Sequence, residues 1–285
     1  MSEMGKGVFT LHKMLRGCVA GDDDAWLGFL RHYLPLAVHL AGHYFGDVAI
    51  EPESLAGQVF ARAREQDAAA LKAFSGTTEE EFLLHFRSLV MTEGRSLAEK
   101  PGAASDAGPR CTLELLEQAI APLLYVQRQY LFLGLKGYAA AAIGEIMKVQ
   151  PTAAAAALEK ARAALGAQLS GDAEAYLTRQ DALLREIEQK RTEDCLPART
   201  YERICGGQIT WRDKEGAERH ILSCYHCLDS FANFYELKHY FRVLPLAEDS
   251  QLARVAPRLG LAPETRTLSP FARLMASLRG SRSSS

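Results

Sequence analysis

The chain has little of what marks membrane-spanning, secreted or sheet proteins. No apolar run approaches the roughly 20 residues that a membrane-spanning helix requires. The first residues contain no apolar segment typical of a secretory signal, so we expect a cytoplasmic protein. Aromatic residues make up only 8% of the chain, and strict alternation of apolar and polar residues is missing. Apolar residues recur instead at three- and four-residue spacing, which predicts an all-α fold.

The chain also lacks a strong net charge and common catalytic motifs. Its formal net charge is -2 over 285 residues, so any basic surface for nucleic acid would be local. We find no Gly-rich phosphate loop, nucleophile elbow or carboxylate pair, and therefore predict that the protein is not an enzyme. The length is enough for two or three small domains.

The chain does contain a pattern typical of a metal site: Cys195, then His220, Cys224 and Cys227. Three thiolates and one imidazole suit a tetrahedral zinc ion, and four protein ligands would leave no open catalytic position. In a helix, the last three residues would share one face, with Cys195 completing the site from an earlier element. The alternative is that these are small buried thiols. A reducing cytosol favours a metal over disulfides.

Other cysteines and histidines have less distinctive surroundings in the sequence. Cys205 is either a buried small residue or a thiol that exchanges with a metal ligand under oxidation. We interpret His226 as solvated or adjacent to the ligands rather than as a ligand. His32, His39 and His43 could share one helical face, but packing or surface roles are the simpler interpretation.

Several helix ends can be predicted from local signals. Asp22 in the Gly21–Asp24 segment is suited to cap a helix, and Pro52 is suited to the first turn of the next one. Thr78 and Glu81 form a capping-box pattern that predicts a helix from Glu79 to Ala98. The Lys100–Pro109 segment has the composition of a linker.

A second helical block, over residues 112–169, contains a helix-turn-helix pattern. A short helix over Tyr138–Met147, a turn ending at Pro151 and a helix over Thr152–Leu169 would place the second helix where it can enter a major groove. Its front, Ala153–Ala157, offers no side-chain hydrogen bonds, so a helical unit with weak or no DNA affinity remains open. The candidate DNA contacts here are Lys148, Gln150, Thr152, Lys160 and Arg162.

Two further segments complete the predicted organisation. The charged Gly171–Asp194 segment predicts one long amphipathic helix that acts as a spacer or docking arm. The Pro-containing tail from residue 243 is expected to be weakly ordered, apart from a short helix near Phe271–Leu278.

These patterns resemble a known transcription system. A first helical block, over residues 8–98, is similar to the second conserved region of extracytoplasmic-function RNA polymerase sigma factors. The second block, over residues 112–169, is similar to their fourth region. The first similarity is carried by Gly21-Asp22, Ala25-Trp26, Phe29, Tyr33, Pro35 and Ser54–Phe60. The second is carried by Gln127–Leu133, Gly137-Tyr138, Ile143–Met147 and Leu158–Leu165. The Cys/His segment resembles zinc-binding anti-sigma domains, whose H-x3-C-x2-C pattern and upstream ligand it contains.

The resemblance implies an all-α protein with a sigma region-two helical bundle, a sigma region-four helix-turn-helix and a small helical zinc-binding domain. Their expected order is 8–98 for the first, 99–111 for a linker, 112–169 for the second, 170–194 for a helical connector, 195–242 for the zinc domain and 243–285 for the tail.

It also implies a sigma factor that binds core RNA polymerase and promoter DNA, with zinc as cofactor. The zinc domain would contact the sigma domains of the same chain and modulate them. The polymerase-binding residues would be Leu55, Gln58, Val59 and Phe60, and further DNA contacts would be Arg87 and Arg95. Ser54 and Gln58 stand where the family usually has an acidic pair, so a sigma-like protein that sequesters a partner without reading DNA remains the alternative.

Overall fold

In a computed structural model of the chain, described for residues 10–46, 50–98, 110–167, 169 and 173–261, every regular element is a helix. The all-α prediction is therefore confirmed for this part of the chain. The predicted linker lies almost wholly outside the described residues, as does the short helix expected near Phe271–Leu278.

The N-terminal bundle begins and ends where its local sequence signals predict. It consists of α1 (Leu11–Val19), α2 (Asp23–Phe45), α3 (Pro52–Lys72) and α4 (Glu79–Ala98). The Asp22 carboxylate accepts the Asp24 and Ala25 N–H groups at the start of α2, and Pro52 is the first residue of α3. Thr78 and Glu81 exchange side-chain-to-backbone hydrogen bonds, both 3.2 Å long, so the predicted capping box is confirmed.

The first hydrophobic core fills this bundle with aromatic side chains. Phe29 of α2 lies at its centre, with ring centroids 5.4 Å from Phe60 and 6.0 Å from Phe86. Trp26 is fully buried, and its indole N–H donates to the Cys18 carbonyl at 2.9 Å. The edge-on ring contacts and the satisfied indole join α1, α2, α3 and α4 into one packed unit.

The next part of the chain forms helices α5 (Leu113–Ile120), α6 (Tyr125–Leu135), α7 (Ala140–Met147) and α8 (Pro151–Gly166). The predicted helix-turn-helix consists of α7 and α8. Lys148 ends α7 in the left-handed region, with φ 54°, and Pro151 begins α8. The tight turn between α7 and α8 is therefore confirmed, although left-handed backbone at a lysine is less favourable than at glycine.

The predicted long helix over Gly171–Asp194 is wrong. The described part of this segment contains a 3-10 helix, η1 (Ala173–Leu177), and a separate helix, α9 (Asp181–Gln189). Gln180 separates them because its N–H donates to the Leu135 carbonyl at 2.8 Å and its side chain accepts the Cys111 N–H at 2.9 Å. These contacts hold the chain against α6 and the start of α5, so it cannot continue as a free helical arm.

The next three helices are α10 (Ala198–Cys205), α11 (Trp211–Ser223) and α12 (Tyr225–Val243). Of the metal-binding pattern, His220 and Cys227 lie in α11 and α12, Cys224 lies between these two helices, and Cys195 precedes α10. One face of α12 contacts α2 and α4, and other parts of it contact α6, α7 and α9. The residues of α10–α12 share the second hydrophobic core with α5–α9. Helix α12 therefore contacts both the N-terminal bundle and the group of helices α6, α7 and α9.

The expectation of weak order beyond residue 243 is wrong for residues 249–259. They form α13 (Asp249–Val255) and the 3-10 helix η2 (Ala256–Leu259). Leu252, Val255 and Ala256 are buried in the first core. The apolar side chains of this short segment are covered by the N-terminal bundle, which explains why a Pro-rich stretch is ordered here.

Candidate functional site

The four predicted metal ligands come together in one cluster. The ligand atoms of Cys195, His220, Cys224 and Cys227 all lie within 4.8 Å of one another. We call these four residues the metal cluster. His220 is in the last turn of α11, Cys224 separates α11 from α12, and Cys227 is in the first turn of α12. The prediction of one continuous helix is wrong, because Cys224 has an extended backbone with φ -114° and ψ 105°.

The dimensions of the metal cluster fit a tetrahedral ion. A Zn–S bond of about 2.3 Å makes the edge between two sulfurs of a tetrahedron about 3.8 Å long. The Sγ atoms of Cys195 and Cys224 are 3.8 Å apart, and the His220 Nε2 atom is 3.2 Å from the Cys227 Sγ atom. Three sulfurs and one imidazole nitrogen are a ligand set that holds soft or borderline metal ions. The cluster can therefore bind a metal ion with four protein ligands.

Backbone N–H groups support two of the sulfurs. The Thr192 N–H donates to Cys195 Sγ at 3.3 Å, and the Leu196 N–H donates to Cys227 Sγ at 3.4 Å. Burial alone would raise the pKa of Cys195, but hydrogen bonds from Thr192, Cys224 and Cys227 together lower it. Burial raises the pKa of Cys227 to about 12. A bound cation would therefore be needed to hold Cys227 as a thiolate.

Tyr201 of α10 provides a further polar group beside the metal cluster. Its side chain is buried, and its hydroxyl lacks a well-aligned hydrogen-bond partner among the described residues. Burial and then the neighbouring Cys227 raise the pKa of Tyr201, so the hydroxyl stays protonated. A thiolate at Cys227 is the acceptor that this O–H group could use, which fits a metal-bound state of the cluster.

The remaining cysteines and histidines lie outside the metal cluster. His226 is not among the grouped ligands, and its Nε2 atom is 3.4 Å from the Ser230 hydroxyl. Cys205 is half-buried, and burial raises its pKa. His39 stacks against Tyr240, which supports the packing interpretation of the α2 histidines.

A second group of polar residues is buried where α12 meets the N-terminal bundle and the α6–α7 region. Arg87, Lys136, Asp229 and Glu236 provide two positive and two negative charges, and we call these four residues the ionic junction. The Lys136 Nζ atom donates to the Asp229 carboxylate, and the two side chains are only 1% and 8% exposed. A buried pair of this kind is costly to break, because the remaining charge would lose its partner without regaining water.

Glu236 connects α2 of the N-terminal bundle with the segment before α7 through two tyrosine hydroxyls. Tyr44 of α2 donates to it at 2.9 Å, and Tyr138, just before α7, donates to it at 2.8 Å. Arg87 of α4 lies over the Tyr44 ring, 5.1 Å from its centroid. Burial alone would lower the pKa of Arg87, but Tyr44, Glu236 and Asp229 raise it, so the guanidinium remains charged.

Two α2 histidines adjoin this junction. The centroid of the His39 ring lies 3.6 Å from that of the Tyr240 ring, and the His43 Nε2–H group donates to the Lys136 carbonyl at 2.8 Å. Burial lowers the pKa of His39 to about 4, although Glu236 opposes this shift. Burial also lowers the pKa of His43. Both rings are therefore neutral at pH 7.

The structure divides the predicted DNA contacts into two groups. Lys148, Gln150, Thr152 and Lys160 are exposed around the turn before α8 and along that helix. Arg162 is half-buried and forms ion pairs with Glu159 and Glu174.

Arg87 and Arg95 of α4 require a correction. Arg87 is only 7% exposed and belongs to the ionic junction, so in this conformation it cannot contact DNA. Arg95 pairs with Glu188 of α9 at 2.7 Å. Arg87 is therefore buried against Tyr44 of α2, whereas Arg95 is paired with a residue from the C-terminal half.

The predicted polymerase-binding residues also require a correction. Leu55, Val59 and Phe60 are 0–2% exposed and pack in the first core, because they lie on the inner face of α3. Gln58 alone among the four is half-exposed. Glu53 and Ser54, at the start of the same helix, are half-buried and bind Arg254 and Arg258.

Sequence reasoning did not identify the ionic junction. A local signal existed: Asp229, Asn233 and Glu236 recur at four- and three-residue spacing within an otherwise apolar part of α12. That spacing indicates a polar stripe on one helical face, but it does not show which helix covers the stripe.

None of the described helices is both long and apolar enough to cross a bilayer. Comparisons of the chain with protein-family models, with curated proteins and with solved structures found no match in any of the three.

Proposed function

We propose that the protein is a sigma-like transcription initiation factor that is held closed by a zinc-binding segment of the same chain. The observation that carries this proposal is the position of α12, which contacts α2 and α4 as well as α6 and α7. A helix in this position controls the distance between the two sigma-like parts. Those parts would have to separate to reach two promoter elements.

The contacts of α4 support a closed state. Helices α10 and α12 pack against α4, and Glu188 of α9 binds Arg95. The resemblance assigns promoter contacts to Arg87 and Arg95 of this helix. In the proposal, both arginines become available only when the C-terminal helices move away.

The metal cluster would determine whether α12 stays in place. Cys227 and Cys224 are at the start of α12, and Asp229 and Glu236 lie farther along the same helix. Zinc would hold Cys195 and His220 against that start, because binding of the ion and folding of small metal sites are coupled. Loss of zinc, or oxidation of Cys195 and Cys224, would weaken the closed state.

The proposal can be tested by binding core RNA polymerase to three purified forms of the full chain. These are the zinc-loaded protein, the chelator-treated protein and the Cys224→Ser variant. Chelation or Cys224→Ser should increase capture of the polymerase several-fold. Cys205→Ser is the matched control, since this thiol lies outside the metal cluster and its loss should leave both zinc and capture unchanged. Absence of capture in every form would refute a sigma function.

Promoter binding provides an independent test. Each neutralised phosphate changes the slope of log K against log salt by about -0.9. Lys148 and Lys160 alone therefore predict a slope near -2 for the α8 surface, measured by fluorescence anisotropy of the opened protein. Lys148→Gln should reduce the slope by about 0.9, since it removes one such contact.

A second candidate function is sequestration of a transcription partner without DNA reading. It is favoured by the exposed Ala153 and Ala156 at the front of α8, which cannot make side-chain hydrogen bonds to bases. In that case the opened protein would bind polymerase, but its affinity for promoter DNA would not exceed that for an unrelated duplex.

A further inference from the structure

Tyr201 is the residue that anchors α10 to its neighbours. The structure describes every residue of α10, and Tyr201, 2% exposed, is the only one of them that is buried. Its ring stacks on Phe231 of α12, with the centroids 5.2 Å apart and the planes 22° apart, and the Phe234 ring centroid lies 6.4 Å away. A buried aromatic ring dominates the packing of so short a helix, so the position of α10 depends on what surrounds this side chain.

The Cys227 sulfur faces α10 at two points. The Leu196 N–H, two residues before the helix begins, donates to the Cys227 Sγ atom at 3.4 Å. Of the charged groups around the Tyr201 hydroxyl, Cys227 acts on it most strongly, ahead of Cys195. One sulfur of the metal cluster therefore lies beside donors from the start of α10 and from its first turn.

The Tyr201 hydroxyl has two candidate acceptors, the Cys227 sulfur and the Ser230 hydroxyl, both on α12. Among the described residues it has no well-aligned hydrogen-bond partner. The Ser230 hydroxyl already lies 3.4 Å from His226 Nε2, whereas a metal-bound Cys227 thiolate would be a charged acceptor. Hydrogen bonds to charged acceptors are roughly twice as strong as those between neutral groups, so a bound ion favours Cys227 as the acceptor.

We propose that Tyr201 is a positioning residue for the metal cluster: its hydroxyl donates to the metal-bound Cys227 thiolate and so fixes α10 in place when the ion is bound. Donors around a metal ligand orient that ligand and tune its affinity for the ion. Helix α10 contacts α4 as well as α12, so metal occupancy would also act on the N-terminal bundle through α10. The inference goes beyond the proposed function, because it requires neither polymerase nor promoter DNA.

Tyr201→Phe tests the role of the hydroxyl in the full-length protein, because it keeps the ring that stacks on Phe231. The variant should bind zinc about ten- to hundred-fold more weakly in competition with a chromophoric chelator. In the Co²⁺-loaded variant, the sulfur-to-cobalt charge-transfer band should move to longer wavelength, because a thiolate that loses a hydrogen bond gives up an electron more easily.

Hydrogen exchange tests the connection between the metal and α10. In the zinc-loaded protein, Tyr201→Phe should increase amide exchange several-fold in residues 202–205, the second turn of α10. Removing the metal should then increase exchange in this turn less than it does in the wild-type chain, because the variant has already lost the contact through which the metal acts.

Two control variants separate the hydroxyl from packing and from the other acceptor. Tyr235→Phe is the matched control, because the Tyr235 ring also contacts Phe231, with centroids 5.0 Å apart, while its hydroxyl interacts with Cys205 outside the metal cluster. Ser230→Ala removes the second candidate acceptor. Both variants should leave the zinc affinity and the cobalt spectrum unchanged.

Four outcomes would overturn the inference. The first is an equal loss of zinc affinity in Tyr201→Phe and Tyr235→Phe, which would reduce the effect to packing. The second is an unshifted cobalt band in Tyr201→Phe, and the third is the same band shift in Ser230→Ala. The fourth is a wild-type chain that binds neither zinc nor cobalt. Failure to capture core RNA polymerase would refute the proposed function alone, because none of these measurements involves the polymerase.

Discussion

The ion pair between Lys136 and Asp229 offers the most direct test of how the chain is held together. Its side chains are 1% and 8% exposed, so neither charge can be rehydrated without moving α6 away from α12. Asp229→Asn keeps the shape of the side chain but leaves the Lys136 ammonium without its counter-charge. Removing one partner of a buried pair costs about 3–5 kcal/mol. Because the amide oxygen can still accept a hydrogen bond, we expect a loss near the lower limit, about 3 kcal/mol.

A double-mutant cycle measures the coupling of this pair. Lys136→Met should also destabilise the protein, while the double variant should lose much less than the sum of the two single variants. Chemical denaturation followed by circular dichroism should give a coupling energy of about 2–3 kcal/mol. The exposed Lys190–Glu186 pair of α9 is the control, and Glu186→Gln should cost less than about 0.5 kcal/mol. Additive effects of the two buried substitutions would refute the reasoning.

Three further changes have clear expected outcomes. Burial lowers the pKa of His39 from 6.5 in the unfolded chain to about 4, so its contribution to stability is complete above pH 6.5 and declines as the pH falls towards 4. After allowance for solvent screening, we expect the free energy of unfolding to fall by about 1 kcal/mol at pH 5. Urea titrations should show a smaller fall in His39→Gln, and an equal fall in both proteins would contradict this. Cys224→Ser should remove most of the bound metal, and Co²⁺ added to the wild-type chain should give the absorption spectrum of tetrahedral thiolate coordination. If mass spectrometry found undiminished metal in Cys224→Ser, with Cys205→Ser as the reference, the metal cluster would be excluded as the binding site. Gly94→Ala should lower the free energy of unfolding by about 1–3 kcal/mol, because its Cβ would collide with an aromatic ring of α2. Gly28→Ala has open space around the new Cβ and should be neutral or stabilising. Similar denaturation midpoints for the two variants would refute this packing.

Much of the local structure could be predicted because the signals act over a few residues. The Asp22 cap, the Thr78–Glu81 capping box and the Pro151 helix start each depend on groups within one turn. The metal ligands could be predicted for the same reason, since three of the four lie within eight residues of one another.

The failed predictions all depend on long-range packing. The Gly171–Asp194 segment has a helical pattern, but Gln180 binds Leu135 and Cys111 and the helix is interrupted there. Arg87 is a basic residue on an amphipathic helix, which usually indicates a solvated side chain. In this fold, Tyr44 together with the carboxylates of Glu236 and Asp229 keeps the pKa of the buried Arg87 guanidinium raised, so it stays charged.

The sequence by itself determined where most helices begin, where the helix-turn-helix bends and which residues can bind a metal, because caps, prolines and ligand spacing are local. Only the tertiary structure decided that α12 contacts both the N-terminal bundle and the helices α6, α7 and α9, and that residues 249–261 cover the beginning of α3. Those arrangements join residues that are distant along the chain, such as Lys136 with Asp229, 93 positions apart, and Glu53 with Arg254, 201 positions apart. A periodic pattern identifies the face of a helix that is buried, but the partner of that face depends on how all the helices pack together.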